Sequence, residues 1–167
     1  MRLEIIEKTR KYRYSKTKIA GLFHALASHF GIPADFELAV FFTGKTSIRK
    51  ANRDFRRKDA PTDVLSFPLN SEKEIGAFRR GKTAESPFPM GDILLCPDFI
   101  LERNVIGCER DLNAEVVFLL IHGFMHIIGY DHGEGDFAGS KMERDALRFM
   151  GSHLQEGLYN GVIKRRS

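Results

Sequence analysis

Apolar positions along the chain switch between dense short runs and a spacing of three to four residues, the marks of strands and helices. Residues 3–6 form a short, partly apolar run that predicts a strand. Ser15 or Thr17 then caps a helix reaching residue 30, with Ile19, Leu22, Phe23 and Leu26 on its apolar face. Gly31-Ile32-Pro33 ends it. Residues 36–43, dense in Phe, Val and Leu, predict a buried strand. A second helix opens at Thr43, Thr46 or Ser47 and closes in a basic end at residues 56–58, as the helix dipole favours. Pro61-Thr62 predicts a turn and residues 63–67 a strand. Residues 70–90 show no periodicity and are expected to form a long, mobile surface loop. Residues 91–96 predict a strand, and Pro97 starts a helix running toward residue 105. Asp111 or Asn113 caps a helix that ends at Gly129, and a last helix spans about residues 137–154.

Strand-helix-strand at the front implies parallel pairing with a right-handed crossover, and the two later strands an antiparallel pair. The expected fold is α+β: a mixed, mostly parallel sheet of about four strands packed with helices, the helix of residues 111–129 central. With no repeat and no linker, residues 1–167 are expected to form a single domain.

Composition narrows the class. Apolar residues make up 43% and charged residues 29%, which suits a soluble globular chain, and 14 Phe with no Trp predict a core built on phenylalanine. A formal charge of +4 and a pI near 9.1 mildly favour an anionic partner. The two cysteines, Cys96 and Cys108, form no C-x-x-C and no disulfide framework, which points to a reducing, cytoplasmic setting. The N-terminus has no apolar signal segment, and the most apolar stretch, residues 116–130, is too short for a membrane span. Residues 8–18 carry Lys8, Arg10, Lys11, Arg13, Lys16 and Lys18 without an acid, with Tyr12 and Tyr14 interleaved. Two readings stay open there: a solvated charged face, or phosphate contact with tyrosines stacking on bases.

The densest chemistry lies in His122-Gly-Phe-Met-His126-Ile-Ile-Gly129-Tyr-Asp-His132, which holds three of the six histidines. His122 and His126 stand one helical turn apart on one face, so both can point at one ion. Gly129 permits a left-handed residue that ends the helix and swings His132 back toward the pair. Three imidazoles without a fourth protein ligand make a catalytic type of zinc site, with one position left for water. The alternative is a hydrogen-bonded histidine cluster. His24 and His29 have no partner at ligand spacing.

The spacing His-x-x-x-His-x-x-Gly-x-x-His is that of the metzincin peptidases, which carry a glutamate after the first histidine as general base. Here that position is Gly123, which cannot accept a proton. Glu115 lies about 10 Å of helix rise before His122 and reads as a buried or outer acid.

The chain as a whole resembles the YbeY family, bacterial ribosomal-RNA maturation factors regarded as metal-dependent single-strand endoribonucleases. The resemblance rests on His122, Gly123, His126, Gly129, Tyr130, Asp131 and His132. It rests also on Asn52, Phe55 and Arg56, on Thr62-Asp-Val-Leu-Ser-Phe-Pro68, on Gly91-Asp-Ile93 and on Met142-Glu143. It implies an α+β fold, one zinc ion per chain held by His122, His126 and His132, and a functional role for Arg56. Implied partners are single-stranded RNA, ribosomal RNA and the ribosome. The implied work is maturation of ribosomal RNA, especially the 3′ end of the small-subunit RNA, and ribosome quality control.

Elementary chemistry is compatible with these roles. Neutral imidazoles leave zinc its full charge, which activates water near neutral pH. Arginine holds phosphate oxygens bidentately and stays charged. Taken without the resemblance, Arg56 reads as a helix-end cation that offsets the dipole. Asp131 is open between orienting a ligand imidazole and serving as a turn residue. Three classes therefore stand at this point: an RNA endonuclease, a ribosome-associated factor with a structural zinc, and a zinc peptidase lacking its usual base.

Overall fold

A computed structural model of the protein describes residues 1–83, 86–103, 111–131, 140–153 and 160–166. The order is β1 (Arg2–Glu7), β2 (Tyr12–Tyr14), α1 (Lys16–His29), β3 (Phe36–Phe42), α2 (Lys45–Arg56), β4 (Val64–Pro68), α3 (Glu72–Arg79), β5 (Phe88–Leu95), α4 (Pro97–Arg103), α5 (Leu112–Ile127), α6 (Lys141–His153) and β6 (Ile163–Arg165). The main sheet has the order β1-β3-β5-β4. β1 and β5 pair with β3 in parallel, and β4 closes the sheet antiparallel to β5. This is the expected mixed, mostly parallel four-stranded α+β arrangement, with β4 as an edge strand.

α5 lies at the centre, packed on β4, β5, β6, α4 and α6. Val116 through Ile121 are buried without a break, so this helix is apolar on every side over that stretch and belongs inside the core. The alternating pattern of β3 sends Phe36, Leu38, Val40 and Phe42 into the same core, where Phe23 of α1 and Phe36 both meet the Phe124 ring of α5. On the other side of the sheet, Ile48 of α2 packs with Leu65 and Cys96 in a smaller cluster. Asp111 caps α5 by accepting from the backbone N–H groups of Asn113 and Ala114.

One sequence reading changes and one left open is decided. Residues 70–90 are not a featureless loop: they hold α3 and the start of β5. The sign was present in Ser71 and Glu74, a reciprocal capping box in which the Glu74 carboxylate takes the Ser71 N–H at 2.8 Å. Tyr12 and Tyr14 do not offer rings to bases. Tyr12 is 1% exposed and donates its hydroxyl to Asp98 at 2.7 Å, while the Tyr14 ring stacks on Phe42 at 3.8 Å. Those tyrosines lie in β2, which pairs antiparallel with β6 in a second small sheet that local pattern did not predict. Of the expected elements, the helix end near residue 105 and the two ends of the 137–154 helix fall outside the described residues, as does Cys108.

Gly91 shows why that strand needs a glycine. Its φ of 148° lies at a register shift between β3 and β5, and a Cβ there would stand 2.3 Å from the Phe67 carbonyl oxygen.

Candidate functional site

α5 leaves the core at its C-terminal turn, where it meets the edge strand β4 and the end of α2 around a cleft of about 740 Å³. His122 and His126 open into this cleft from one face of the helix. Their rings are edge to face, and their Nε2 atoms are 3.1 Å apart. Two nitrogens bound to one tetrahedral zinc at ~2.0–2.1 Å would be about 3.3 Å apart, so the pair fits two corners of such a site. The His126 Nδ1 lies 2.9 Å from the Tyr130 carbonyl oxygen. A carbonyl only accepts, so Nδ1 carries the proton and Nε2 presents its lone pair toward His122.

Gly129 makes that acceptor available. Its φ of 96° turns the chain back after α5, so that the Tyr130 N–H donates to the Met125 carbonyl at 2.9 Å and the Tyr130 carbonyl faces His126. The Tyr130 side chain is held in turn by α6. Burial first, then the Asp145 carboxylate and its hydrogen bond, push the Tyr130 hydroxyl above its ordinary pKa. Tyr130 also meets the Phe30 ring edge to face at 5.7 Å, which ties the turn to the end of α1.

Arg56 is the last residue of α2 and lines the same cleft. Its Nη2 donates a long bond of 3.4 Å to the Ser66 carbonyl of β4. The loop beyond α2 fixes this helix end. Arg57 adopts the left-handed conformation (φ 59°), at a cost of about 1 kcal/mol for a residue with a Cβ. The Lys58 N–H then closes onto the Asn52 carbonyl at 3.3 Å, and the Asn52 side-chain amide donates to the Ala60 carbonyl at 2.8 Å. Asn52 thus acts as a fastener that binds the loop to α2 and sets Arg56 beside the edge strand. Asp63 starts β4 in a similar way, accepting from the Val64 N–H at 2.8 Å and the Thr62 hydroxyl at 3.0 Å.

Of the candidate residues, Arg56, His122 and His126 meet in one cleft, and Asp131 borders it. His132 lies outside the described residues, and among those described no group of three His, Cys, Asp or Glu side chains converges. Glu115, 2% exposed in the first turn of α5, does not line the cleft. Sequence reasoning missed Glu72 of α3, which does. Its Cγ would be 2.9 Å from a Cβ at position 129, so α3 closes over the turn at the end of α5.

Gly123 shows why a peptidase base does not belong here. A Cβ at this position would be 3.1 Å from both Ile93 Cγ2 and Ser66 Oγ, so a side chain would start out into the sheet. Gly123→Glu restores the peptidase sequence pattern but is expected to overpack the sheet and bury a carboxylate, destabilising the protein by about 3 kcal/mol or more. Denaturant unfolding measures that loss. Gain of casein cleavage by a variant as stable as the parent would show that position 123 can serve as a base after all.

The fold is that of a Thermotoga maritima protein solved in solution, with a TM-score of 0.54 and 24% identity over 93% of this chain and 94% of that one. That likeness defines an α+β class and no more. Sequence is more specific: residues 4–152 match the family described as Endoribonuclease YbeY. Relatives bearing that name include one from Enterococcus faecalis, 37% identical over 80% of this chain and 86% of its own length. Another from Aquifex aeolicus is 32% identical over 92% and 93% respectively. A third from Geobacter metallireducens is 31% identical over 95% and 99%. The chain belongs to the YbeY family.

Proposed function

We propose that this protein is a zinc-dependent endoribonuclease that cuts single-stranded RNA, with ribosomal RNA as its substrate and the ribosome as its partner. The observation that carries this reading is the convergence of two imidazole Nε2 atoms, 3.1 Å apart, in a cleft shared with Arg56. Membership of a family whose relatives are named endoribonucleases supplies the reaction class. His122 and His126 would hold one zinc ion per chain, and His132, three residues past the turn at Gly129, is the proposed third ligand. When bound, zinc supplies Lewis-acid activation of water at neutral pH and charge beside the scissile phosphate.

The chain's own groups do the rest. The Tyr130 carbonyl holds the His126 proton on Nδ1, which keeps Nε2 available. Arg56 binds phosphate oxygens and stabilises the negative charge that grows on them. α2 carries Lys45, Arg49, Lys50, Arg53 and Arg56; Lys45, Arg49 and Arg53 are paired with Glu102, Asp59 and Asp54, and Arg56 is the cation of this helix that lines the cleft and can meet a polyanion there. Ribosomal RNA as substrate and ribosome quality control as context rest on the family resemblance, and we assign the work to the cytoplasm. Among the described residues no helix is long and apolar enough to cross a membrane.

Untagged, repeatedly purified protein tests the reading. It is expected to contain one zinc per chain and to cut single-stranded RNA faster than duplex, whose bases are paired and whose backbone adapts less to a cleft. Chelation is expected to stop cleavage and added zinc to restore it. Cleavage that disappears on repurification while zinc stays bound would leave a ribosome-binding factor with a structural metal.

A further inference from the structure

The geometry of α2 assigns a second RNA contact: we propose that Phe55 is a stacking platform for one unpaired base beside the phosphate held at Arg56. The proposal rests on the endonuclease reading above and deepens it, since it names the feature by which an unpaired strand is preferred. Phe55 is 70% exposed, the highest value for any large apolar side chain among the described residues. It stands on the last turn of α2, immediately before Arg56.

The ring is not loose. It meets Phe67 of β4 edge to face, with centroids 5.0 Å apart and planes at 65°. Phe67 in turn packs against the cluster of Ile48, Leu65 and Cys96 between α2 and the sheet. A flat π-face is thus held from one edge at the C-terminal end of α2, next in sequence to Arg56, which lines the cleft. The core does not account for it, because α2 is anchored by the fully buried Ile48. Nor does the neighbouring charge suit an apolar protein surface: Arg56, Arg57 and Lys58 follow Phe55 directly, while Arg53 before it is paired with Asp54, the one acid among them. Cations around an exposed aromatic ring are what a single-stranded nucleic acid needs, phosphates meeting the charges and a base covering the ring. A paired base has its faces covered by its neighbours and cannot use the platform.

Zinc-loaded protein and a short unstructured oligoribonucleotide test this, read both as equilibrium Kd by fluorescence anisotropy and as KM and kcat. Phe55→Ala is expected to weaken binding and raise KM about tenfold or more, the order of one stacked base, with a smaller change in kcat. Phe55→Tyr should stay close to the parent, and Phe55→Leu should behave like Phe55→Ala, because leucine keeps apolar volume and loses the π-face. Weak cleavage of duplex RNA should be equal in all four proteins. A single abasic position moved along the oligonucleotide should weaken the parent at one place and leave Phe55→Ala unaffected there. Parent-like Kd and KM in Phe55→Ala overturn the platform while leaving the nuclease intact. Parent-like binding in Phe55→Leu overturns it in favour of an apolar docking surface. A parent that binds the oligonucleotide but never cuts it sinks the nuclease reading, and the Kd values still decide the platform. A parent that neither binds nor cuts sinks both.

Discussion

Replacing His126 with alanine is expected to remove most of the zinc and to lower RNA cleavage about a thousandfold or more, while the protein stays folded. His126 supplies one of the two Nε2 atoms that stand 3.1 Å apart, and its orientation depends on the bond from Nδ1 to the Tyr130 carbonyl. Removing the ring leaves His122 without its partner corner, and Lewis-acid activation worth several kcal/mol goes with the ion. The helix itself is held elsewhere, by the unbroken buried stretch Val116 to Ile121 and by Phe124, Met125 and Ile127. A chain of 167 residues with such a core does not depend on metal to fold, unlike a zinc finger. Circular dichroism of the variant, and of chelated parent, should therefore remain helical with a lowered Tm. Elemental analysis of the variant is the deciding measurement: zinc retained at one per chain would sink the site assignment.

Arg56→Ala is expected to separate chemistry from architecture. Arg56 is exposed, and its one described hydrogen bond, to the Ser66 carbonyl at 3.4 Å, is long. An exposed helix-end cation with such a contact contributes little to stability, so Tm and zinc content should match the parent's. Cleavage should fall about a hundredfold or more, since one charge contact to the transition state is worth roughly 3 kcal/mol. Arg56→Lys should recover part of it, because a point charge reproduces the sign of the fork and not its bidentate geometry. Parent-rate cleavage by Arg56→Ala beside an inactive His126→Ala would leave the metal site standing and remove the arginine from the reaction. Parent rates in both would mean that the nuclease is a contaminant.

The histidine pair and the turn beyond it were legible in the sequence, as was the mixed, mostly parallel α+β sheet. Histidines at i and i+4 need only a helix to share a face, and Gly129 needs only its missing Cβ to end that helix, so short-range geometry carries both. α1 was readable because Ser15 caps it and Ile19, Leu22, Phe23 and Leu26 repeat at the helical spacing. α3 was equally readable from Ser71 and Glu74, but the Gly, Ser and Pro residues around it masked eight helical residues. The basic run at residues 8–18 left two readings open for a different reason. A tyrosine flanked by cations looks the same in sequence whether it faces solvent or the core, and what lets Tyr12 pack into the core is an acceptor for its hydroxyl at Asp98, 86 residues away.

The sequence by itself determined the histidine pair, the turn beyond it, the order of most elements and the family. Each of these depends on residues within a few positions of one another, or on motifs read in register. Only the tertiary structure decided that Arg56 shares a cleft with the histidines, because that requires α2 and α5 to meet across the edge strand β4. It alone paired β2 with β6, joining Tyr12–Tyr14 to Ile163–Arg165 across nearly the whole chain. It alone directed position 123 into Ile93 and Ser66. Contacts of this kind are set by packing between distant segments, where a local pattern carries propensity but no partner.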